Sequence, residues 1–199
     1  KVAIFREQGV NGQNEMAAAF ILAGFEASDI HMQDVLDNPS LLEEFQGLAA
    51  CGGFSYGDVL GAGGGWSSSI RYNNGVRDAF EHFFNRDETF TFGVCNGCQI
   101  LSNIKDLIPG AENWPEFLWN ESDQFEARLS QVTIAQSKSV LLDGMEGWQI
   151  PVAVAHGEGR ASFAENALKL LSDQHQIAVQ FTDNKGVVAS SYPLNPNGS

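Results

Sequence analysis

The chain opens on an unbroken apolar run, Val2-Ala3-Ile4-Phe5, which reads as a strand buried on both faces. Arg6-Glu-Gln-Gly-Val-Asn-Gly12 reads as a polar loop. Over Asn14–Leu22, Met16, Ala19, Phe20 and Ala23 recur at helical spacing, and Gly24 supplies the stop. Phe25–His31 predicts a second strand. Ser40–Phe45 predicts a short helix after Asn38-Pro39, and Gly47–Cys51 a third strand ending in Gly52-Gly53. Arg71–Asn85 predicts a helix with Phe80, Phe83 and Phe84 toward the core. Thr89–Val94 predicts a fourth strand, and Asn96–Leu107 the helix that follows it. Beyond Pro109 the pattern changes to alternation: Phe125, Ala127, Leu129, Val132 and Ile134 mark a strand over Phe125–Ala135, and Gln149–Ala155 marks another. Ile177–Phe181 and Val187–Ser191 flank Asp183-Asn184-Lys185-Gly186, a hairpin signal. Trp114, Trp119 and Trp148 belong either to the core or to the rim of an interface. The expectation is an α/β fold: a largely parallel sheet with helices on both faces, extended by a more antiparallel C-terminal half. With no internal repeat, low-complexity tract or dividing linker, residues 1–199 read as one domain.

Composition narrows the function. A chain of 199 residues with 43% hydrophobic and 18% charged residues is globular and long enough for a real core. Its net charge of −14 argues against nucleic acid as a ligand. No run reaches membrane-spanning length and the start lacks a signal-peptide layout, so no membrane is expected and a cytoplasmic setting is. The three cysteines, Cys51, Cys95 and Cys98, form no disulfide framework. Cys95-x-x-Cys98 raises a redox pair or half a zinc site. The four histidines are too scattered to complete the latter, and no metal is expected. Lys1 starts directly on a strand. Tyr192-Pro-Leu-Asn-Pro-Asn-Gly-Ser199 reads as a turn-rich loop that caps nothing, so a piece of a longer polypeptide, cut inside a loop, is expected.

The chemistry concentrates at Phe90-Thr-Phe-Gly-Val-Cys-Asn-Gly-Cys-Gln-Ile-Leu101, a strand, a tight turn and a helix start. Gly93 and Gly97 stand two residues either side of Cys95, the spacing of a nucleophile elbow. Such a turn presents one side chain at the sheet edge beside the backbone N–H groups of a helix N-terminus. Those donors hold an oxyanion and favour a thiolate. Cys95 is therefore the candidate covalent nucleophile, against the alternative of a packed, inert thiol. Gly52–Gly65 carries seven glycines yet lacks the Gly-Lys-Ser/Thr end of a phosphate loop and the opening of a dinucleotide site. It is either a flexible surface loop or a backbone wall that approaches a substrate closely. On the second reading Gly53 N–H is an oxyanion donor beside Asn96 N–H. Gln99 either faces the cleft or is a solvated helix residue. His156, between a buried strand and glycines, is the best histidine in the chain for the site, through its imidazole or its backbone.

Gly93-Val-Cys-Asn-Gly-Cys-Gln99 resembles the nucleophile motif of class I, triad-type glutamine amidotransferases. Gly52-Gly-Phe-Ser-Tyr-Gly-Asp58 and Ala155-His-Gly-Glu-Gly-Arg160 resemble, more narrowly, the glutaminase domains of the formylglycinamide ribonucleotide amidotransferase (phosphoribosylformylglycinamidine synthase) family. Arg6-Glu-Gln-Gly-Val-Asn11 and Val59-Leu-Gly-Ala-Gly63 point to its large, single-chain form. The separate small glutaminase subunit is the near alternative, and another cysteine-elbow hydrolase or a non-catalytic docking domain are the more distant ones. The resemblance implies a flavodoxin-like sheet. It implies Cys95 as nucleophile, Gly53 and Asn96 N–H groups as oxyanion hole, and Gln99, Phe54, His156 and Gly157 as glutamine-binding residues. It implies no cofactor in this domain, with ATP and Mg in a synthetase domain of the same polypeptide that turns the released ammonia into an amidine. The family's base and its orienting acid lie in a His-Pro-Glu motif, which this chain lacks.

Overall fold

The computed structural model describes residues 1–198. The chain forms two compact units, Lys1–Glu112 and the part from Asn113 onward.

In the first unit, strand β1 (Val2–Arg6) leads through helix α1 (Gln13–Leu22) to β2 (Ala27–His31). Helix α2 (Met32–Asp37) and a 3-10 turn (Pro39–Glu44) lead to β3 (Gly47–Ala50). A left-handed turn within Ser55–Asp58 and helices α3 (Gly64–Arg71) and α4 (Asn74–Phe84) lead to β4 (Phe90–Gly93), which is followed by α5 (Asn96–Asn103). The four strands are parallel in the order β2-β1-β3-β4. That is the doubly wound arrangement, in which the strand order reverses beside β1 and ligands bind beyond the carboxyl ends of the strands.

Alternation along β1 divides the core. Val2 and Ile4 join Ala49, Cys51 and Phe20 of α1 in one cluster. Phe5 points to the opposite face, where its ring centroid lies 5.1 Å from Trp66 and 5.5 Å from Phe80. Phe5, Trp66 and Phe80 are fully buried, each such burial stabilising by about 1.5–3 kcal/mol. Both faces of the sheet are therefore covered, which explains the unbroken apolar runs of β1 and β3.

Three expectations for this unit need correction. The helix expected over Arg71–Asn85 is two helices. Arg71 closes α3, and Asn73 caps α4 by accepting a 3.2 Å hydrogen bond from Val76 N–H. Serine masks α3 in sequence, but Ser67 and Ser68 bond back to Gly64 O at 3.1 and 2.7 Å while Trp66 and Ile70 fill the core. Helix α2 was unforeseen because it is short. His31 Nδ1 accepts from Gln33 N–H, and Asp34 accepts from His31 N–H. Finally, the segment after β1 is not simply a polar loop, since Glu7 is only 4% exposed.

The second unit is antiparallel, but it does not extend the first sheet. Strands β5 (Glu116–Leu118) and β8 (Arg160–Ser162) pair with each other. Strands β6 (Glu126–Ile134), β7 (Gln149–His156) and β9 (Val179–Thr182) form a separate sheet centred on β6. Pro151 sits in β7, an edge strand, where its missing N–H is harmless. Helix α6 (Ala167–Asp173) packs Ala167 and Leu171 inward. The hairpin turn forms as its residues predict: Asp183 Oδ1 accepts from Lys185 and Val187 N–H at 2.8 and 2.9 Å. The return arm makes only an isolated bridge, Thr182 to Val188. Trp119 and Trp148 are exposed, whereas Trp114 Nε1 donates to Gln176 Oε1 at 3.1 Å.

The terminal segment, expected to cap nothing, is bound into this unit. Ala161 N–H donates to Asn197 O at 2.9 Å, and the Arg128 guanidinium lies 5.3 Å from the Tyr192 ring centre. Asn195 is the reason. Buried to 1% exposure, it accepts from the N–H groups of Asn197 and Gly198 and donates to Ala189 O, which folds the polar tail on itself.

Candidate active site

Strand β4 ends at Gly93, and two residues later Cys95 takes φ +55°, ψ −116°. Few residues with a Cβ adopt that conformation, and it persists only where the surroundings enforce it. The flanking glycines show how. A Cβ on Gly97 would stand 2.0 Å from Ala50 O, and one on Gly93 would stand 2.7 Å from Gly97 O. The backbone of α5 thus lies directly on β3, closer than any other residue type permits. Cys95 is thereby lifted outward and is exposed.

The other thiols differ. Burial pushes Cys51 and Cys98 up to about 11, so both stay protonated near neutral pH. No group of three or more His, Cys, Asp or Glu able to hold a metal occurs among the described residues.

The loop after β3 is the second wall. A Cβ on Gly52 would lie 3.6 Å from Cys95 Sγ, so this backbone faces the thiol closely. Gly53 has φ +146°, and a Cβ there would meet Val10 Cα at 2.5 Å. The loop after β1 acts as its template: Asn11 N–H donates to Gly52 O at 3.2 Å, and Phe54 N–H to Gly9 O at 2.9 Å. These two bonds bracket Gly53, whose own N–H, like that of Asn96 at the start of α5, donates to no group among the described residues. Both N–H groups are thus left without an acceptor from the described protein residues.

The Asn96 side chain, fully buried, joins the two walls. Its Oδ1 accepts from Ser55 N–H at 3.2 Å, and its Nδ2 donates to Asp58 Oδ1 at 3.0 Å and Gln99 Oε1 at 3.1 Å. Asp58 in turn accepts from Gly63 N–H at 3.3 Å, and Asn103 Nδ2 donates to Ala62 O at 3.2 Å. The glycine-rich stretch is therefore a bonded cap on α5 rather than a free loop. Phe54 projects from it, 56% exposed.

Of the residues singled out from sequence, Cys95, Asn96, Gln99, Gly53 and Phe54 gather at the ends of β3 and β4. His156 and Gly157 belong to the second unit, at the end of β7. There Asn120, 2% exposed, organises them. Its Nδ2 donates to His156 O at 2.7 Å, its N–H to Gly157 O at 3.0 Å, and its Oδ1 stands 2.8 Å from His156 Nδ1 and 3.1 Å from Gly159 N. Because Asn120 Nδ2 also serves Gln124 O, its amide orientation is fixed and Nδ1 carries the imidazole proton. His156 Nε2 stands 3.1 Å from Asn197 Oδ1. Burial lowers the His156 pKa, with the Asn197 contact acting the other way.

Sequence reasoning missed Glu7, Tyr56, Asp58 and Asn120. Their partners lie tens of residues away, and no local periodicity marks a polar residue held inside by such bonds.

A strained, exposed thiol between two glycines, with unused backbone donors beside it, can attack a carbonyl-type carbon and hold the resulting oxyanion. A solved structure described as PurLQS from Thermotoga maritima shares the fold, with a TM-score of 0.65 and 21% identity over 94% of this chain and 79% of that one. Residues 1–199 match the CobB/CobQ-like glutamine amidotransferase domain. The chain belongs to that glutamine amidotransferase family.

Proposed function

We propose that this chain is the glutaminase domain of a phosphoribosylformylglycinamidine synthase, an enzyme of purine biosynthesis. The observation that carries the reading is Cys95 itself: exposed, at φ +55°, between glycines whose side-chain positions are occupied by backbone. Cys95 Sγ attacks the side-chain carboxamide carbon of glutamine. The tetrahedral oxyanion is held by Gly53 and Asn96 N–H groups. Collapse breaks the C–N bond and releases ammonia, leaving a glutamyl thioester that water hydrolyses to glutamate. Gln99 and Phe54 of the first unit bind glutamine. Ammonia then passes to an ATP- and Mg-dependent synthetase domain, which converts formylglycinamide ribonucleotide to its amidine. The motifs at Gly52–Asp58, Gly93–Gln99 and Ala155–Arg160 support this choice of enzyme within the family.

His156 is not the base on this reading, because Asn120 and Asn197 occupy both edges of its ring. The resemblance places the base in a His-Pro-Glu motif, which residues 1–199 do not contain. Residues 1–199 alone accordingly have little or no glutaminase activity. An ammonia-release assay comparing this chain with a polypeptide continued through a His-Pro-Glu motif tests it: activity confined to the longer form is expected, and robust turnover by the short form overturns this assignment of the base.

A further inference from the structure

Glu7 is an acidic side chain only 4% exposed, just beyond β1. A carboxylate is buried at a cost of several kcal/mol unless hydrogen bonds replace its water. Here they do so from three directions. Gln8 N–H donates to Oε1 at 2.7 Å, Tyr56 OH donates to Oε2 at 2.8 Å, and His31 Nε2 lies 3.4 Å from Oε1. Since His31 Nδ1 accepts from Gln33 N–H, the neutral ring carries its proton on Nε2, facing Glu7. One carboxylate therefore ties the segment after β1 to the last residue of β2 and to the turn after β3.

Tyr56 is the contact that bears on chemistry. It holds φ +53° and is followed by Gly57 at +63° and Asp58 at +52°. A bulky residue in the left-handed region costs about 1–3 kcal/mol, so something must hold it there. Its N–H donates to Gln8 O at 3.0 Å. Its ring lies where a Cβ on Gly65 would stand, 2.6 Å from Cδ2. Its hydroxyl is anchored on Glu7. Burial raises the phenol pKa, with Glu7 acting in the same direction and a hydrogen bond with Ser69 in the other, so the phenol stays a donor. Tyr56 lies three residues after Gly53, on a segment that is also held by the bonds of Gly52 O and Phe54 N–H to Asn11 and Gly9 of the loop after β1 and by the bonds of Ser55 and Asp58 to Asn96.

We propose that Glu7 is a positioning residue for the oxyanion donor: by holding the Tyr56 hydroxyl, it fixes the left-handed turn that aims Gly53 N–H past Cys95. Glu7 touches no reacting atom and acts through the backbone of residues 53–56. The inference rests on the oxyanion role given to Gly53 above.

The test compares two electrophiles on the full 199-residue chain. A chloroketone analogue of glutamine passes through a tetrahedral adduct and needs the oxyanion donor. Iodoacetamide alkylates by displacement at carbon and does not. Tyr56→Phe keeps the ring and deletes the bond to Glu7, and Glu7→Gln keeps a hydrogen-bond partner for the hydroxyl, its oxygen accepting from Gln8 N–H while its amide NH2 donates to the Tyr56 oxygen. In Tyr56→Phe the chloroketone rate at Cys95 should fall about tenfold, less than the full loss of an oxyanion donor, with the iodoacetamide rate within about twofold. Glu7→Gln should recover most of the rate, and Glu7→Ala should match Tyr56→Phe. An unchanged ratio of the two rates in Tyr56→Phe overturns the inference and leaves the nucleophile assignment standing. An equal fall with both reagents shows general loosening and also overturns it. If the unaltered chain is not labelled at Cys95 by the chloroketone, the proposed function fails first and the inference with it.

Discussion

Each unit of this chain holds a fully or almost fully buried asparagine, and the glycines that flank Cys95 in the first differ from Gly144 and Gly147 in the second. In the first, Asn96 binds a strand-end loop to a helix, and Gly93 and Gly97 are glycine because backbone occupies the side-chain position. In the second, Asn120 binds a turn to the end of β7, while Gly144 and Gly147 have positive φ and nothing within 4 Å of a would-be Cβ. One set of glycines lets backbones touch; the other lets a chain turn in open space. Chemistry follows the first kind, because only close backbone approach lifts a thiol into a strained, exposed position and leaves N–H donors unpaired beside it.

The sharpest way to break this contrast is at Gly97. A methyl group 2.0 Å from Ala50 O cannot be relieved by rotating a side chain, so α5 must move off β3. Gly97→Ala should cost about 3 kcal/mol or more and abolish selective modification of Cys95; chemical denaturation of the first unit measures it. Asn120→Ala should come next. It removes partners from His156 O and Gly159 N–H inside the second unit, for a loss of about 1–3 kcal/mol in the same measurement. Gly144→Ala should cost only about 1 kcal/mol, the strain of a left-handed alanine partly offset by a less free unfolded chain. A Gly144→Ala loss as large as that of Gly97→Ala would erase the distinction.

The smallest effect concerns pH. Burial holds the His156 pKa below its ordinary value, so the unfolded chain binds the proton more readily. The contribution is present above the unfolded pKa of about 6.5 and is lost as pH falls through the lower folded value. Thermal melts of the second unit should therefore weaken on acidification below about pH 6.5, and His156→Gln should flatten that part of the profile.

Much of this architecture was legible because it is local. The buried strands announce themselves as Val2–Phe5 and Gly47–Ala50, the hairpin turn as Asp183–Gly186, and the elbow as glycines two residues either side of Cys95. What stayed hidden is long-range and polar. Serine obscures α3 until its hydroxyls are seen bonding to Gly64 O, and Glu7 looks solvated until Tyr56, 49 residues away, reaches it. The terminal segment looked idle because Asn195 folds it through side-chain bonds that no periodicity encodes.

The most direct test treats the 199-residue chain with a chloroketone analogue of glutamine and maps the modified peptides. Cys51 and Cys98, with pKa values pushed up to about 11, hold on the order of one thiolate in a thousand at pH 8. The account predicts a single adduct, on the peptide that carries Cys95, suppressed by excess glutamine. Equal labelling of Cys51, or an unmodified Cys95, would contradict it.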